Sequence, residues 1–485
     1  MGATAGHKLA MRKLLLLGLA LCGTPLVAAD DPAENVSQER LQADIGMLVG
    51  FGTRHTLSEQ DNPARGIGAA VDWGAAEFRH ISADCDGCLE VVLPERMVEG
   101  RRVPHPTRLR NVVAIQRGTK RTSEVVIVLG HIDSRVSDPM DWQSDAPGAN
   151  DDGSGTVLVL EAARVLSRQQ YPTTIIYALL SGEEQGLYGG RLLADWVEEQ
   201  GFTVKAVLNN DIVGGSCGSD GYCDDRYVRV FSEGPRFDLT NAARADQRRN
   251  GGENDSPSRN LSRWLYQLAN SQPDGLLVRQ IWRTDRMGRG GDQIPFLEKG
   301  YPAIRFSVAV EDYDHQHQDL RTEEGVTYGD TPDEMDFAYL AKVTQLNVRA
   351  LDRLAQSPMP PAVSALAAVR TFTELEFSRV AGAEQYGVYV RRTDGINWNE
   401  NAILGILREP DVTETFSFEG QNSLSAGPPV ILGSEDAIKV GLPGVRGDDW
   451  LFGVSACAGE FCSPIASAVP GGAFSPIAKE EGDSQ

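Results

Sequence analysis

Residues 125–133, with the sequence Val-Val-Ile-Val-Leu-Gly-His-Ile-Asp, form the stretch from which the fold of this chain is predicted. Its first five residues are apolar without polar alternation, which is typical of a strand buried on both faces of a parallel sheet. His131 and Asp133 follow at the point where that strand would end. The stretch therefore predicts a central parallel sheet with functional side chains at one edge.

The segments around this strand alternate between strand and helix patterns. Apolar runs predict strands over residues 111–115, 174–180, 204–208 and 303–308. Apolar residues at helical spacing predict helices over residues 157–166, 187–197 and 335–354. Because the two patterns alternate, we expect an α/β fold with a mostly parallel central sheet sandwiched by helices.

The N-terminal part of the chain has two further features. A basic start, a short apolar run and the small residues Val27-Ala28-Ala29 predict a cleaved signal peptide over residues 1–29. We therefore expect a secreted or periplasmic protein. Helical spacing after it predicts a helical lead-in over residues 35–110, at the start of a catalytic domain of residues 30–356.

The C-terminal part has a different composition. Residues 357–362 are rich in proline and are predicted to be a linker. Alternating apolar residues and turn signals predict a small C-terminal β-sandwich over residues 363–472. The polar end of the chain, residues 473–485, is predicted to be a disordered tail.

Composition excludes several classes of protein. A chain of 485 residues is too long for one ordinary core, so we expect two or three domains. A net charge of -22 argues against nucleic acid as a partner and disfavours docking onto anionic lipid. After the predicted signal peptide, no apolar stretch is long enough for a membrane span.

The cysteines indicate an oxidising compartment. Outside the predicted signal peptide they form three close pairs, which local disulfides would explain most simply: Cys85 with Cys88, Cys217 with Cys223, and Cys457 with Cys462. The first pair, a CxxC motif, could instead be half of a zinc site or a redox motif. No second CxxC completes a zinc site, and no strand-to-helix context supports a redox motif.

Side chains that can bind a metal or move a proton follow each of four predicted strands. In chain order they are His131 and Asp133, Glu183 and Glu184, Asp211, and His315 and His317. Asp151 lies in the loop between the first two of these strands. Because sites in open α/β sheets form beyond the carboxyl ends of the strands, we expect these segments to converge on one crevice.

The residue types match a hydrolytic site with two zinc ions. Zinc binds imidazole and carboxylate well, and a pair of zinc ions needs one carboxylate to bridge them. Such a pair acidifies a water molecule and polarises the scissile carbonyl. A further carboxylate must carry the proton of that water to the leaving amine, and the pair Glu183 and Glu184 supplies one base and one ligand. Asp133 is placed to hold the imidazole of His131 in the correct tautomer.

The motifs that carry these residues resemble those of the co-catalytic di-zinc aminopeptidases, typified by bacterial leucyl aminopeptidases and related to glutamate carboxypeptidases. The motifs are Gly130-His131-x-Asp133-Ser134, Pro147-Gly148-Ala149-Asn150-Asp151-Asp152-Gly153-Ser154-Gly155, Gly182-Glu183-Glu184-x-Gly186 and Asn210-Asp211. The resemblance runs from about Asn111 to Asp319. It implies a zinc exopeptidase fold, often with a cis peptide bond after Asp151.

The resemblance also implies a role for each site residue. Asp151 would bridge two Zn²⁺ ions, His131 and Asp211 would hold one ion, and Glu184 would hold the other together with a late histidine. Glu183 would be the general base.

Two positions depart from the family pattern or leave a choice. Asn150 replaces a common aspartate, but that position is not expected to be a ligand. The segment His315-Gln316-His317 offers two late histidines. Counted from Tyr313, the spacing resembles the family better with His317 as the ligand.

Taken together, the sequence predicts a secreted di-zinc aminopeptidase that acts on peptides with a free N-terminus. One alternative is a carboxypeptidase or another amide hydrolase on the same metal core, for which Arg283, Arg286 and Arg289 could supply a cationic pocket. Another is a non-catalytic binding protein of the same fold. The C-terminal sandwich resembles a fibronectin type III module, a kind of module that binds a surface or another protein or serves as a spacer.

Overall fold

The computed structural model describes Gly2 and residues 31–273, 275–398, 403–408, 430–434 and 436–477. Apart from Gly2, the signal peptide predicted for residues 1–29 lies outside these residues. None of the helices among them combines the length and the apolar character that a membrane span requires.

Helices and strands alternate through the described residues up to Gln356. The helices are α1 (Gln38–Gly50), α2 (Gly66–Asp84), α3 (Gly153–Leu166), α4 (Tyr188–Glu199), α5 (Asn241–Asn250), α6 (Pro257–Asn270), α7 (Ile294–Glu298) and α8 (Phe337–Gln356). The strands are β1 (Leu89–Val92), β2 (Glu95–Gly100), β3 (Val103–Arg110), β4 (Val112–Gln116), β5 (Arg121–His131), β6 (Thr173–Leu180), β7 (Thr203–Asn210), β8 (Tyr227–Ser232), β9 (Leu277–Ile281), β10 (Ala303–Val308), β11 (Arg321–Glu323) and β12 (Val326–Tyr328).

The central sheet has eight strands among the described residues, in the order β1-β4-β6-β5-β7-β10-β8-β9. In its middle, β6, β5, β7 and β10 run parallel to one another. Strands β4 and β8 pair antiparallel with β6 and β10. In the parallel register, Ile127 lies beside Ile176 on one side and Val207 on the other. The predicted mostly parallel sheet is therefore confirmed, with antiparallel pairs towards both edges.

Side chains of β5 alternate between two hydrophobic cores, one on each face of the sheet. Val126 and Val128 pack into the core that contains α1, α2, α3 and α8. Val125, Ile127 and Leu129 pack into the core that contains α4 and α7. Because both faces are covered by helices, the strand needs an unbroken apolar run, and the predicted α/β sandwich is confirmed.

The predicted helical lead-in over residues 35–110 is correct only up to Asp84. Helices α1 and α2 follow the helical spacing, but residues 89–110 form β1, β2 and β3, so the prediction is wrong there. Strands β2 and β3 pair as a hairpin whose turn is residues 101–102. Val98, Val103 and Leu109 are buried between exposed residues, which makes the segment a half-buried hairpin and not a helix.

Two antiparallel sheets form the C-terminal part of the described chain. Their strands are β13 (Val363–Leu366), β14 (Phe372–Ser378), β15 (Gln385–Arg392), β16 (Ile403–Arg408), β17 (Val430–Gly433), β18 (Ala437–Pro443), β19 (Trp450–Ala458), β20 (Phe461–Cys462) and β21 (Ala466–Ser467). One sheet has the order β13-β14-β18-β17, and the other has the order β16-β15-β19-β20, with β21 paired to β19. Phe377 and Val440 of the first sheet share a core with Val388 and Val454 of the second, so the predicted β-sandwich is present.

The predicted linker, residues 357–362, is anchored where it leaves α8. The buried amine of Lys205 donates to the carbonyls of Leu354 (3.0 Å) and Ser357 (2.6 Å). Arg121 also donates to the Ser357 carbonyl (2.8 Å). The chain therefore enters the sandwich from a fixed point.

The predicted disordered tail, residues 473–485, begins too early. Phe474 is buried, and the buried guanidinium of Arg236 donates to the carbonyls of Ala473 (2.6 Å) and Ser475 (2.9 Å). Residues 473–477 are therefore held against the first domain, because Arg236 supplies hydrogen-bond donors that a polar composition does not reveal. Residues 478–485 lie outside the described residues.

Three disulfides join the predicted local pairs: Cys85 with Cys88, Cys217 with Cys223, and Cys457 with Cys462. This prediction is confirmed. The disulfide between the first two cysteines also excludes the alternative in which their thiolates are half of a zinc site.

A buried polar interface fixes the sandwich to the first domain beside α6. Arg391 of β15 forms an ion pair with Asp255, and both side chains are almost fully buried. The indole of Trp398 donates to Asn260 Oδ1 (3.1 Å), and Asn260 Nδ2 donates to Ser467 Oγ (2.7 Å). The described residues from Pro32 onward accordingly form one compact unit.

Breaking the ion pair between Arg391 and Asp255 should destabilise the protein. In the Arg391→Met variant, the buried Asp255 carboxylate loses its nearest cation and keeps the Ser467 hydroxyl at 3.0 Å and the Arg263 guanidinium at 3.6 Å. We expect the free energy of unfolding to fall by about 3 kcal/mol, measured from urea unfolding curves. The matched control is Arg392→Met, whose partner Asp394 is exposed, and it should change the same quantity by less than about 0.5 kcal/mol. Equal effects of the two substitutions would contradict a fixed interface.

Candidate metal centre

Three parallel strands deliver four of the predicted site residues to one edge of the sheet. His131 is the last residue of β5, Glu183 and Glu184 follow β6, and Asp211 follows β7. The backbone N–H of His131 donates to Asp152 Oδ2 (2.9 Å), and Asp152 also caps the N-terminus of α3. These contacts place the strand end beside the loop that carries Asp151.

Asp151 lies between two imidazoles. Its Oδ1 is 3.2 Å from His131 Nε2, and its Oδ2 is 2.8 Å from His317 Nε2. His131 Nε2 is also 3.9 Å from Asp211 Oδ1, and His317 Nε2 is 2.9 Å from Glu184 Oε1. The structure thus brings all five predicted ligands together.

These residues form two donor sets that share one carboxylate. One set is His131, Asp151 and Asp211, the other is Asp151, Glu184 and His317, and within each set the donor atoms lie within 4.8 Å of one another. Each set combines imidazole nitrogen with carboxylate oxygen, which are ligands that zinc prefers. The residues therefore fit a pair of zinc ions that share Asp151.

The electrostatics of the site favour bound cations. Burial raises the pKa of Glu183 well above its usual range, and the carboxylates of Asp211 and Glu184 raise it further, against the opposing effect of His131. Burial also raises the pKa of Asp211. For His317, burial lowers the pKa, but Glu184 and Asp151 outweigh it and bring the pKa to about 9. Buried like charges are costly without cations nearby, and metal ions would compensate them.

The two late histidines face different partners. His317 Nε2 faces the carboxylates of Asp151 and Glu184. His315 Nδ1 is 2.6 Å from Asp312 Oδ2, and its Nε2 is 3.5 Å from Glu334 Oε1. His317 has a left-handed backbone with φ of 56°, which directs it differently from its neighbour. The folded chain thus places His317, the histidine that the spacing favoured, beside Asp151, and His315 beside Asp312.

Two arginines that sequence reasoning missed hold the candidate ligands. The Arg135 guanidinium donates to Glu184 Oε2 (2.8 Å), and its Nη2 lies 2.6 Å from His317 Nδ1. Arg305 is fully buried and pairs with Asp211 Oδ1 at 2.7 Å. The sequence did contain a signal for Arg305. It is the charged residue of the strand predicted over residues 303–308, and a guanidinium buried in a strand needs a partner. No such signal marks Arg135.

The loop that carries Asp151 is held by another residue that sequence reasoning missed. Asp330 accepts hydrogen bonds from the backbone N–H groups of Asn150 (2.8 Å) and Asp151 (2.7 Å). The Asn150 side chain accepts from the backbone of Gly214 (2.8 Å), in keeping with the expectation that it is not a ligand. The peptide bond between Asp151 and Asp152 is cis, as the family resemblance implied.

Asp133 supports the site in a different way from the one predicted. His131 Nδ1 is closest to the backbone carbonyl of Asp133 (3.0 Å), whereas the carboxylate lies at 3.6 Å. That carboxylate instead accepts from the backbone N–H groups of Glu183 and Glu184, each at 3.2 Å, and from the Thr56 hydroxyl at 3.2 Å. Asp133 thus contacts the imidazole through its backbone carbonyl and the Glu183–Glu184 turn through its carboxylate.

Comparison with known proteins places the chain in a family. The family model described as peptidase family M28 matches residues 111–329. A probable zinc metalloprotease of Leptosphaeria maculans is 46% identical over 329 residues, which cover 68% of this chain and 76% of the relative. The chain belongs to peptidase family M28. Over 383 residues, this M28 peptidase is also 40% identical to a probable zinc metalloprotease of Pyricularia oryzae, with 76% of each chain covered.

Similarity to solved structures is more distant. The LapA aminopeptidase of Legionella pneumophila is 17% identical and aligns with a TM-score of 0.48, over 67% of this M28 peptidase and 74% of LapA. A likeness at that level does not bear on function.

The Asp133→Asn variant tests whether Asp133 positions the ligands of this M28 peptidase. An amide offers one acceptor oxygen where the carboxylate offers two, so the turn of Glu183 and Glu184 should loosen. We expect zinc affinity to fall about 10- to 100-fold in competition with a chromophoric chelator. The control Asp138→Asn, on an exposed part of the loop after β5, should keep the affinity of the parent chain. Unchanged affinity in Asp133→Asn would refute the role.

Proposed function

We propose that this M28 peptidase is an aminopeptidase that holds two zinc ions bridged by Asp151. The observation that carries the proposal is the position of Asp151, whose two oxygens face the separate imidazoles of His131 and His317. The relatives from Leptosphaeria maculans and Pyricularia oryzae are probable zinc metalloproteases, which supports zinc as the metal. His131 and Asp211 would hold one ion, and Glu184 and His317 the other.

The reaction would be hydrolysis of the first peptide bond of a peptide. Bound zinc supplies Lewis acidity, which lowers the pKa of water and polarises a carbonyl. Glu183 belongs to neither of the two donor sets that share Asp151, yet it follows the same strand end and lines the adjoining cleft. Its place beside both donor sets suits a group that accepts the proton of the attacking water and returns it to the departing amine.

Specificity for the N-terminal bond is favoured by the charge of the site. A free amine is a cation, and the buried carboxylates of the centre attract cations. The carboxypeptidase alternative requires a cationic pocket, for which the sequence offered Arg283, Arg286 and Arg289. Arg286 does not suit that role, because its charge is paired with Asp285 (3.2 Å) and Glu311 (3.1 Å). Arg289 does line the cleft beside Glu183 and Glu184.

Export of the chain and the type of the C-terminal domain belong to the same proposal. We infer that residues 1–29 direct secretion, which the three disulfides support because such bonds persist in oxidising compartments. The sandwich would be a fibronectin type III-like module. Its buried interface with α6 favours a fixed attachment over a flexible tether.

Replacing the proposed base tests the mechanism. In Glu183→Gln, the side chain keeps its size but cannot accept the proton, so we expect kcat for aminoacyl anilides to fall about 10²- to 10⁴-fold. Zinc content should stay the same, because Glu183 is not a proposed ligand. The control Glu199→Gln, at the exposed end of α4, should retain full activity. Near-equal rates for Glu183→Gln and the parent chain would defeat the assignment.

Counting zinc tests the ligand sets. Elemental analysis of the parent chain should give two zinc ions per chain. In Asp211→Ala, only the set that contains His131 loses a ligand, so one zinc ion should remain with Asp151, Glu184 and His317. A parent chain that retains a single zinc ion at saturating metal would contradict the bridged pair.

A further inference from the structure

A cleft of about 470 Å³ adjoins the candidate metal centre. Glu183, Glu184 and His317 line it together with three arginines, Arg102, Arg135 and Arg289. We call this feature the arginine cleft and define it by those three arginines. Its size suits one or two residues of a peptide, and its lining includes the proposed base.

The three arginines come from separate parts of the chain. Arg102 lies in the turn of the β2–β3 hairpin, Arg135 follows β5, and Arg289 lies in the segment between β9 and α7. Three unrelated loops thus deliver guanidinium groups to the same cleft. A single arginine on a surface loop is ordinarily just hydrated. Three arginines that meet beside the proposed reacting groups instead favour an anionic ligand.

Two of these guanidinium groups have unused donors. Arg135 is engaged by Glu184 and His317. Arg102 donates to the backbone carbonyl of Glu184 (2.9 Å), and Arg289 is exposed to solvent; neither has an ion pair within the described part of the chain. The acidic residues of the cleft, Glu183 and Glu184, are assigned to the base and to the metal.

We propose that the arginine cleft selects peptides that carry a carboxylate next to the scissile bond. This rests on the proposed peptidase function. A guanidinium binds a carboxylate through two parallel N–H donors, so Arg102 and Arg289 match such a group in geometry as well as in charge. When the scissile bond lies at the metal centre, the residues that flank it occupy the cleft.

The carboxylate has two possible sources. It is either the side chain of aspartate or glutamate, or the terminal carboxylate of a short peptide. Both present the same planar anion to the arginines. Peptide substrates that differ only in where the carboxylate lies distinguish these sources.

The test compares kcat/KM within matched peptides on the zinc-loaded full chain. Leu-Gln amide is the neutral reference for Leu-Glu amide, with a side-chain carboxylate, and for Leu-Gln acid, with a terminal carboxylate. Gln-Gln amide is the reference for Glu-Gln amide, in which the carboxylate precedes the bond. We expect at least one carboxylate peptide to exceed its reference by about 10- to 100-fold, the range for a hydrogen bond to a charged group.

Substitutions of Arg102 and Arg289 then test whether the arginine cleft causes the preference for carboxylate peptides. Arg102→Gln and Arg289→Gln should each lower the ratio between carboxylate and neutral peptide about tenfold, and Arg289→Lys should recover part of it because the charge is kept. The control Arg248→Gln removes the same charge from an exposed position of α5 and should keep the parent ratio.

The outcomes separate this proposal from the proposed function. Ratios near one in the parent chain, or ratios that neither Arg102→Gln nor Arg289→Gln alters, would overturn the carboxylate preference while leaving peptide hydrolysis intact. If the zinc-loaded parent chain cleaves none of the peptides, the proposed function fails, and the preference fails with it.

Discussion

The contact of Asp151 with two imidazoles is the interaction on which the rest of the site depends. His131 and His317 approach opposite oxygens of one carboxylate, so each donor set is incomplete without it. A buried carboxylate can hold this position only if its backbone is fixed, and Asp330 does so through two hydrogen bonds. The fold around the site keeps Asp151 and the two histidines together.

The parallel sheet brings the other candidate ligands to the same place. Parallel strands end at the same edge, so His131, Glu184 and Asp211 meet although they are far apart in the chain. Helices on both faces exclude water from the sheet, and the cost of burying carboxylates is met by Arg135 and Arg305. Local strain accompanies this arrangement: Ile212, next to Asp211, has a φ of 59°, an unusual conformation for a β-branched residue.

Two segments outside the central sheet, the β2–β3 hairpin and the C-terminal sandwich, pack against different parts of the first domain. The β2–β3 hairpin carries Arg102 to the cleft, where it meets Arg135 and Arg289 from two other loops. The C-terminal sandwich lies elsewhere, on α6, and is fixed there by the buried pair of Arg391 and Asp255. One segment therefore bears on the substrate, and the other on the stability of the chain.

The sequence by itself determined the strands β4, β5, β6, β7 and β10, the helices α1 to α4 and α8, and the residues gathered at the strand ends, because local periodicity and motif spacing record them. It did not predict α5, α6, α7, β8 or β9, whose apolar patterns are weak or interrupted by charged residues. Only the tertiary structure decided which late histidine faces Asp151, where Arg135 and Arg305 bind, and that residues 473–477 are ordered. Those are contacts between distant residues. Local patterns favoured His317 and indicated that a buried Arg305 needs a partner, but they do not encode which residues meet.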